Sequence, residues 1–230
     1  MRILLTAAVM VAASASASFA VSVNISGPAL GTAQAAEAAF LTNKIVVASE
    51  TFEGFADNSR GVTYNTGVGT FTDNDPGNFD GNGLGILSSG TTPFSGRFNL
   101  TPSGSLWLDS FDSRDVSLSL SLPSNATGLG FYLTDLDDQG ADTQMSVFGS
   151  GGILGSFDLT SSKQTSGSYH YVAIDFMGND VIGLEFTHND PADGWGIDDM
   201  SAVAPIPLPA AGWLLIAGVG ALFGFGRRKA

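Results

Sequence analysis

Any chemistry in this chain has to be carboxylate chemistry. Its 230 residues hold 22 Asp and Glu against two His and no Cys. That excludes thiolate catalysis, a disulfide framework, cysteine-ligated zinc or iron–sulfur sites and a histidine-rich metal centre. No G-x-S-x-G elbow and no H-E-x-x-H pair is present. His170, within Tyr169-His170-Tyr171, lies on an alternating stretch and reads as pointing to solvent or satisfying a neighbour. His188-Asn189-Asp190 follows a strand end, where Asp190 reads as a turn residue. With so many acids, some pair falls at glycosidase spacing by chance, so proximity alone argues no reaction. The chain is read as a non-enzyme.

Three acidic segments remain. Residues 73–83 form an Asp/Asn/Gly-rich loop that cannot pack a core. Asp135, Asp137 and Gly140 match positions one, three and six of an EF-hand loop. Gln139 and Ser146 break the pattern at positions five and twelve, so both loops read as solvated turns with dense oxygen. The third constellation joins Glu50-Thr51-Phe52-Glu53-Gly54-Phe55 to Asp193-Gly194-Trp195-Gly196-Ile197-Asp198-Asp199-Met200. Trp195 and Ile197 share a face by alternation, whereas Met200 and Ala202 have the opposite parity. A bulge at Asp198-Asp199 reconciles both pairs with one core and re-aims one carboxylate. This pairing of segments resembles the first and last strands of many carbohydrate-binding jelly rolls, in which a glutamate and an aspartate share a structural calcium. The resemblance implies Glu53 and Asp198 as metal ligands, with Asp199 as competitor. Carboxylates so placed repel each other unless a cation or protons intervene.

The elements that must position these residues are strands. Gly31 to Leu41 has helical propensity and spacing. Beyond it, 44–55, 61–72, 96–100, 106–110, 129–136, 169–176, 182–188 and 195–203 look extended, and 144–159 reads as a hairpin turning at Gly149-Ser150-Gly151-Gly152. Val116-Ser117-Leu118-Ser119-Leu120-Ser121-Leu122 alternates cleanly, as a strand with one wet face does. About nine or ten strands with almost no helix predict an all-β antiparallel sandwich of jelly-roll type over 44–203, preceded by a segment 21–43 carrying the short helix. Trp107, Tyr132, Tyr169, Tyr171 and Trp195 could face a sugar ring, but each is expected in the core.

The two ends read as addresses. Met1-Arg2, an apolar run from Ile3 to Ala13 and the small residues of Ser18-Phe19-Ala20 make a signal peptide over 1–20, cleaved after Ala20 by signal peptidase. Residues 204–230 carry Pro205-Ile206-Pro207-Leu208-Pro209, then 17 uncharged residues from Ala210 to Gly226, then Arg227-Arg228-Lys229-Ala230. The apolar stretch is at the lower limit for a transmembrane helix, and the basic cluster stays inside by the positive-inside rule. This tripartite tail resembles the PEP-CTERM class of bacterial sorting signals, in its VPLPA-CTERM variant. Ile206-Pro207-Leu208-Pro209-Ala210 stands at the signature, with isoleucine replacing the first valine. The resemblance covers about the last 26 residues. It implies export, recognition of Pro207, Leu208 and Pro209 by an exosortase, and delivery from the inner membrane to the cell surface or extracellular polysaccharide.

Charge agrees with export. All 22 acids lie between Glu37 and Asp199, and only five basic residues lie outside the ends, so the body carries −17. Such a surface repels nucleic acid, anionic lipid and its own copies, and favours divalent cations. The expected role is structural or adhesive within extracellular polymer, with calcium as a structural ion. A carbohydrate-binding module is the second reading, and a polysaccharide hydrolase or lyase the third.

Overall fold

A computed structural model describes residues 21–75, 83–88, 96–100, 104–111, 113–140, 142–160, 163–189 and 193–207. The signal segment with Ala20, and Leu208, Pro209, Arg227, Arg228 and Lys229 of the tail, lie outside the described residues, as does Asp190. Among the described residues no helix is long and apolar enough to cross a membrane.

The first elements are strand β1 (Ser22–Ser26), helix α1 (Leu30–Leu41), β2 (Lys44–Glu50), β3 (Ser59–Gly61), β4 (Thr63–Asn65) and β5 (Gly69–Asp73). Then come β6 (Leu84–Ser88), β7 (Leu106–Asp109), β8 (Asp115–Leu120), β9 (Gly128–Thr134) and β10 (Gln144–Gly149). The last four are β11 (Gly152–Asp158), β12 (Tyr169–Asp175), β13 (Val181–Thr187) and β14 (Gly196–Pro205). One sheet runs β1-β12-β9-β14-β7-β6-β3, with β2 also on β14; the other runs β11-β10-β13-β8-β5-β4. Every pairing is antiparallel.

The core lies between the inner faces. Phe71, Val116 and Leu118 of the second sheet meet Phe131, Leu133 and Ile197 of the first, all fully buried. Phe131 sets its edge to the Phe186 ring at 5.9 Å, and Phe186 lies 5.0 Å from Trp195. The 144–159 hairpin forms as read, pairing Gln144 with Asp158 and Gly149 with Gly152.

Four features differ from the sequence reading. Residues 21–43 are continuous with the sandwich: β1 pairs with β12 over its whole length, and α1 lays Ala33 and Phe40 against Tyr132, Tyr171 and Val203. Strand β6 went unread because Leu84-Gly85-Ile86-Leu87 is buried on both faces and shows no alternation. Residues 96–100 form no strand; they are a strap across the outer face of the first sheet. The stretch read as one strand over 61–72 is a turned pair, β4 and β5.

Candidate functional site

Strand β14 changes partner midway. Gly196 and Ile197 pair with β7, whereas Met200 to Pro205 pair with β2 on the same edge. The expected bulge sits at this switch. Between Asp198 and Ser201 the register against β9 slips by one residue, and Asp199 has φ +48°. Trp195, Ile197, Met200 and Ala202 accordingly all enter the same core.

The bulge puts Asp198 at the gap between the end of β2 and the start of β7, where Glu53 also arrives. Glu53 Oε1 accepts the backbone N–H of Ser105 at 2.7 Å and of Leu106 at 2.8 Å. Asp198 Oδ2 accepts the N–H of Leu100 at 2.6 Å, and Oδ1 that of Asp199 at 2.8 Å. The Asn99 side-chain amide bridges the acids, 3.1 Å from Asp198 Oδ2 and 3.4 Å from Glu53 Oε1, while donating to the Leu106 carbonyl at 2.9 Å. The two acids singled out from the sequence thus meet, through Asn99.

This donor set does not fit calcium. A cation needs six to eight oxygens turned toward it, yet the bonded oxygens here face N–H groups whose dipoles present positive ends. Each such bond to a carboxylate is a charge-assisted one. Among the described residues no three Asp, Glu or His side chains converge in a metal-holding arrangement. Asp199 is turned elsewhere. Burial first, then Glu37 on α1, raises its carboxyl above the usual range. Glu37 itself accepts the Tyr132 hydroxyl at 2.6 Å.

The strap carries a second buried cluster that the sequence reading passed over. Arg97 donates to Asp109 Oδ1 at 2.9 Å and lies 3.4 Å from Asp135 Oδ2, with all three side chains at most 4% exposed. Asp135 also accepts the Gly167 N–H. A β-carbon on Gly96, at φ +98°, would fall 2.1 Å from Asp135 Oδ1, so the strap needs glycine there. Asp193 joins this end of the sandwich, its carboxyl pushed up to about 6 chiefly by burial. One signal pointed here: Arg97 is among only five basic residues of the body, and so rare a charge between apolar segments tends to have an assigned partner.

The EF-hand-like stretch folds its acids inward. Asp137 accepts the hydroxyls of Thr143 and Thr160, while Asp135 and Asp137 both hold positive φ. His170 is buried against Gly27, where a β-carbon would fall 2.6 Å from its Nδ1, so it faces inward. His188 is buried, with Nε2 2.8 Å from the Ser113 carbonyl. The aromatic expectation holds for Trp107, Trp195, Tyr132 and Tyr171, each at most 3% exposed, but not for Tyr169, which is half-buried and packs on Phe98 of the strap at 4.9 Å.

The outer face of the second sheet is different. Ser146, Glu185, Ser117, Thr72 and Thr63 form one cross-strand row, and Phe148, Gly183, Ser119, Thr70 and Asn65 the next. Ser117, Ser119, Thr72 and Thr187 are exposed or half-buried hydroxyls, and Phe148, half-buried, pairs across to Ile153. Neither Lys nor Arg stands on these rows. These two rows are polar and uncharged but for Glu185, the row beyond adds Asp115 and Asp158 beside Thr187 and Gln144, and the face offers hydroxyls beside one aromatic ring.

By sequence, no family model and no curated protein matches the chain. Among solved structures it is similar to the K2 cleaved adhesin domain of Lys-gingipain, with TM-score 0.45 and 18% identity over 67% of this chain and 97% of that one. It is also similar to the CBM22-1 xylan-binding domain of Xyn10C from Paenibacillus barcinonensis, with TM-score 0.38 and 10% identity over 71% and 97%. A Stig cyclase from Fischerella sp. follows at TM-score 0.33 and 10% identity over 79% and 98%. None of the three decides a ligand or a reaction for this chain.

Proposed function

We propose that this is an exported bacterial protein of the cell surface or extracellular matrix. Its body is an adhesive, jelly-roll-like sandwich that holds extracellular polysaccharide on the outer face of the second sheet. The observation that carries the reading is the bare hydroxyl face with the Phe148 ring at one side. An apolar ring packs on the C–H face of a pyranose while surrounding hydroxyls exchange water for sugar hydroxyls. A body at −17 repels an acidic polymer, so the glycan is a neutral one. No catalytic step and no calcium enter this reading.

Affinity electrophoresis through neutral polysaccharides tests it. A defined glycan should retard the protein, and Phe148→Ala should remove most of the retardation. Uniform mobility in every gel would defeat binding, and loss of glycan on incubation would promote hydrolysis over adhesion.

Sorting is the second half of the proposal, supported by the order Pro-rich signature, apolar stretch and basic end. Deleting residues 207–209 should abolish C-terminal processing and surface delivery. An unchanged mature C-terminus and location would remove the exosortase from the account.

A further inference from the structure

Exposed apolar side chains are not scattered over this sandwich. Among the described residues seven large ones are exposed: Ile45, Val46, Val62, Ile153, Met177, Ile182 and Ile206, at 39–64%. All but Val62 lie at one end, the end from which the chain leaves for its tail. Ile45 and Val46 pair with Ala204 and Val203, just before the exit at Pro205. Thr127 donates its N–H to Val203 at 2.7 Å and accepts that of Phe176 at 2.9 Å, which brings the 121–127 and 176–180 loops to the exit. Met177 and Ile182 belong to or border the second loop. The β10–β11 turn joins them, since Gly149 pairs with Val181 and Ile153 follows at once. Between the two loops opens a groove of about 520 Å³ walled by both apolar side chains (Leu120, Leu122, Ile182) and polar ones (Ser121, Asn125, Asn179). The charges at this end are few: Lys44, Asp175 and Asp180.

The opposite end is built otherwise, with Asp73, Asp135, Asp137 and Asp193 buried beneath Asp75, Asp138 and Asp142. A sandwich that only needed solubility would not gather its exposed apolar groups on one pole.

We infer that this apolar end rests on the lipid surface of the membrane that holds the tail, with Ile153 and Met177 in the headgroup–acyl boundary. The inference depends on the sorting proposal above and on the reading of residues 210–226 as the stretch that spans that membrane. The tether is short. The six residues from Pro205 to Ala210, three of them proline, make five residue steps and would reach about 16 Å at the ~3.1 Å per residue of polyproline II. At that range the bilayer is the partner at highest effective concentration. Isolated apolar side chains with few charges suit an interfacial contact, which gains from each buried methylene, and the acids that repel anionic lipid stand mostly at the opposite end.

The test uses the full chain with its tail, reconstituted into phosphatidylethanolamine–phosphatidylglycerol vesicles that contain doxyl-labelled lipid. The absence of native cysteine allows single labels. An environment-sensitive fluorophore is placed at Ile153→Cys, Met177→Cys, Asp158→Cys at the far end of β11, and Leu222→Cys in the tail. Quenching at Ile153→Cys and Met177→Cys should exceed that at Asp158→Cys by about twofold or more. If Leu222→Cys is quenched and the two end positions match Asp158→Cys, the tail is anchored and the inference is wrong. If Leu222→Cys is unquenched too, the anchoring proposal falls first and takes the inference with it. A blue shift at Ile153→Cys that ignores doxyl lipid and vanishes at one chain per vesicle would assign the end to a second copy, which also overturns it.

Discussion

The two outer faces of the sandwich are made from the same kind of strand and have opposite fates. On the first sheet, α1 and the 96–100 strap cover the face, so Trp107, Tyr132, Asp109 and Asp198 are all buried there. On the second sheet nothing among the described residues covers the face, and its serines and threonines stay accessible. A covered face has to answer the polar groups it buries, and here the acids are answered largely with charge, while Trp107 Nε1 and the Tyr171 hydroxyl find no hydrogen-bond partner among the described residues. Arg97 answers two aspartates, and five N–H donors answer Glu53 and Asp198. A bare face leaves that task to water, or to a ligand that mimics water.

Replacing polar groups one at a time should expose this difference most clearly. Arg97→Leu leaves Asp109 and Asp135 buried without their cation and should cost about 3–5 kcal/mol in urea unfolding. A loss under ~1 kcal/mol would mean that the strap is not held by charge. Glu53→Gln should cost about 1–3 kcal/mol, because a neutral amide oxygen accepts the Ser105 and Leu106 N–H groups more weakly. In wild type, EDTA should move the melting temperature by less than about 1 °C if N–H donors rather than a cation answer Glu53 and Asp198. A larger fall, reversed by calcium, would restore the cation between Glu53 and Asp198.

Asp193→Asn should act in the other direction. Its folded-state carboxyl titrates near 6, above the 3.8 of an unperturbed aspartate. Its contribution is therefore complete below pH 4 and is lost as pH rises through 6. Asp135, Asp137 and Asp199 are raised in the same sense, also chiefly by burial. Melting temperature should fall between pH 4 and 7, and Asp193→Asn should flatten that fall and stabilise the protein at pH 7.5. On the bare face, Ser119→Ala and Thr72→Ala should each stay within about 0.5 kcal/mol of wild type while weakening any glycan retardation.

The same contrast governs what could be read from the chain alone. Strand β8 was legible because one side faces water and writes Ser117 and Ser119 between Val116 and Leu118. Strands β6 and β7 are buried on both sides, and a run such as Leu106-Trp107-Leu108 does not say which neighbour covers it. The bulge in β14 could be inferred because two apolar pairs of opposite parity had to share one core. The meeting of Glu53 with Asp198 was legible only by resemblance. Its chemistry was not, because Asn99, Leu100, Ser105 and Leu106 answer the charge with N–H groups, mostly of the backbone, that carry no signature in residue type.

The exchange of partners along β14 also decides how the body bears load. A pull on the chain beyond Pro205 acts along β14, which is flanked by β9 on one side and by β2 and then β7 on the other. Antiparallel hydrogen bonds lie perpendicular to the strands. Drag on a captured polymer would therefore load both ladders in shear, many bonds at once, rather than peel them singly. The Glu53–Asn99–Asp198 contact lies where β2 hands over to β7, and so acts as the splice that keeps the load path continuous.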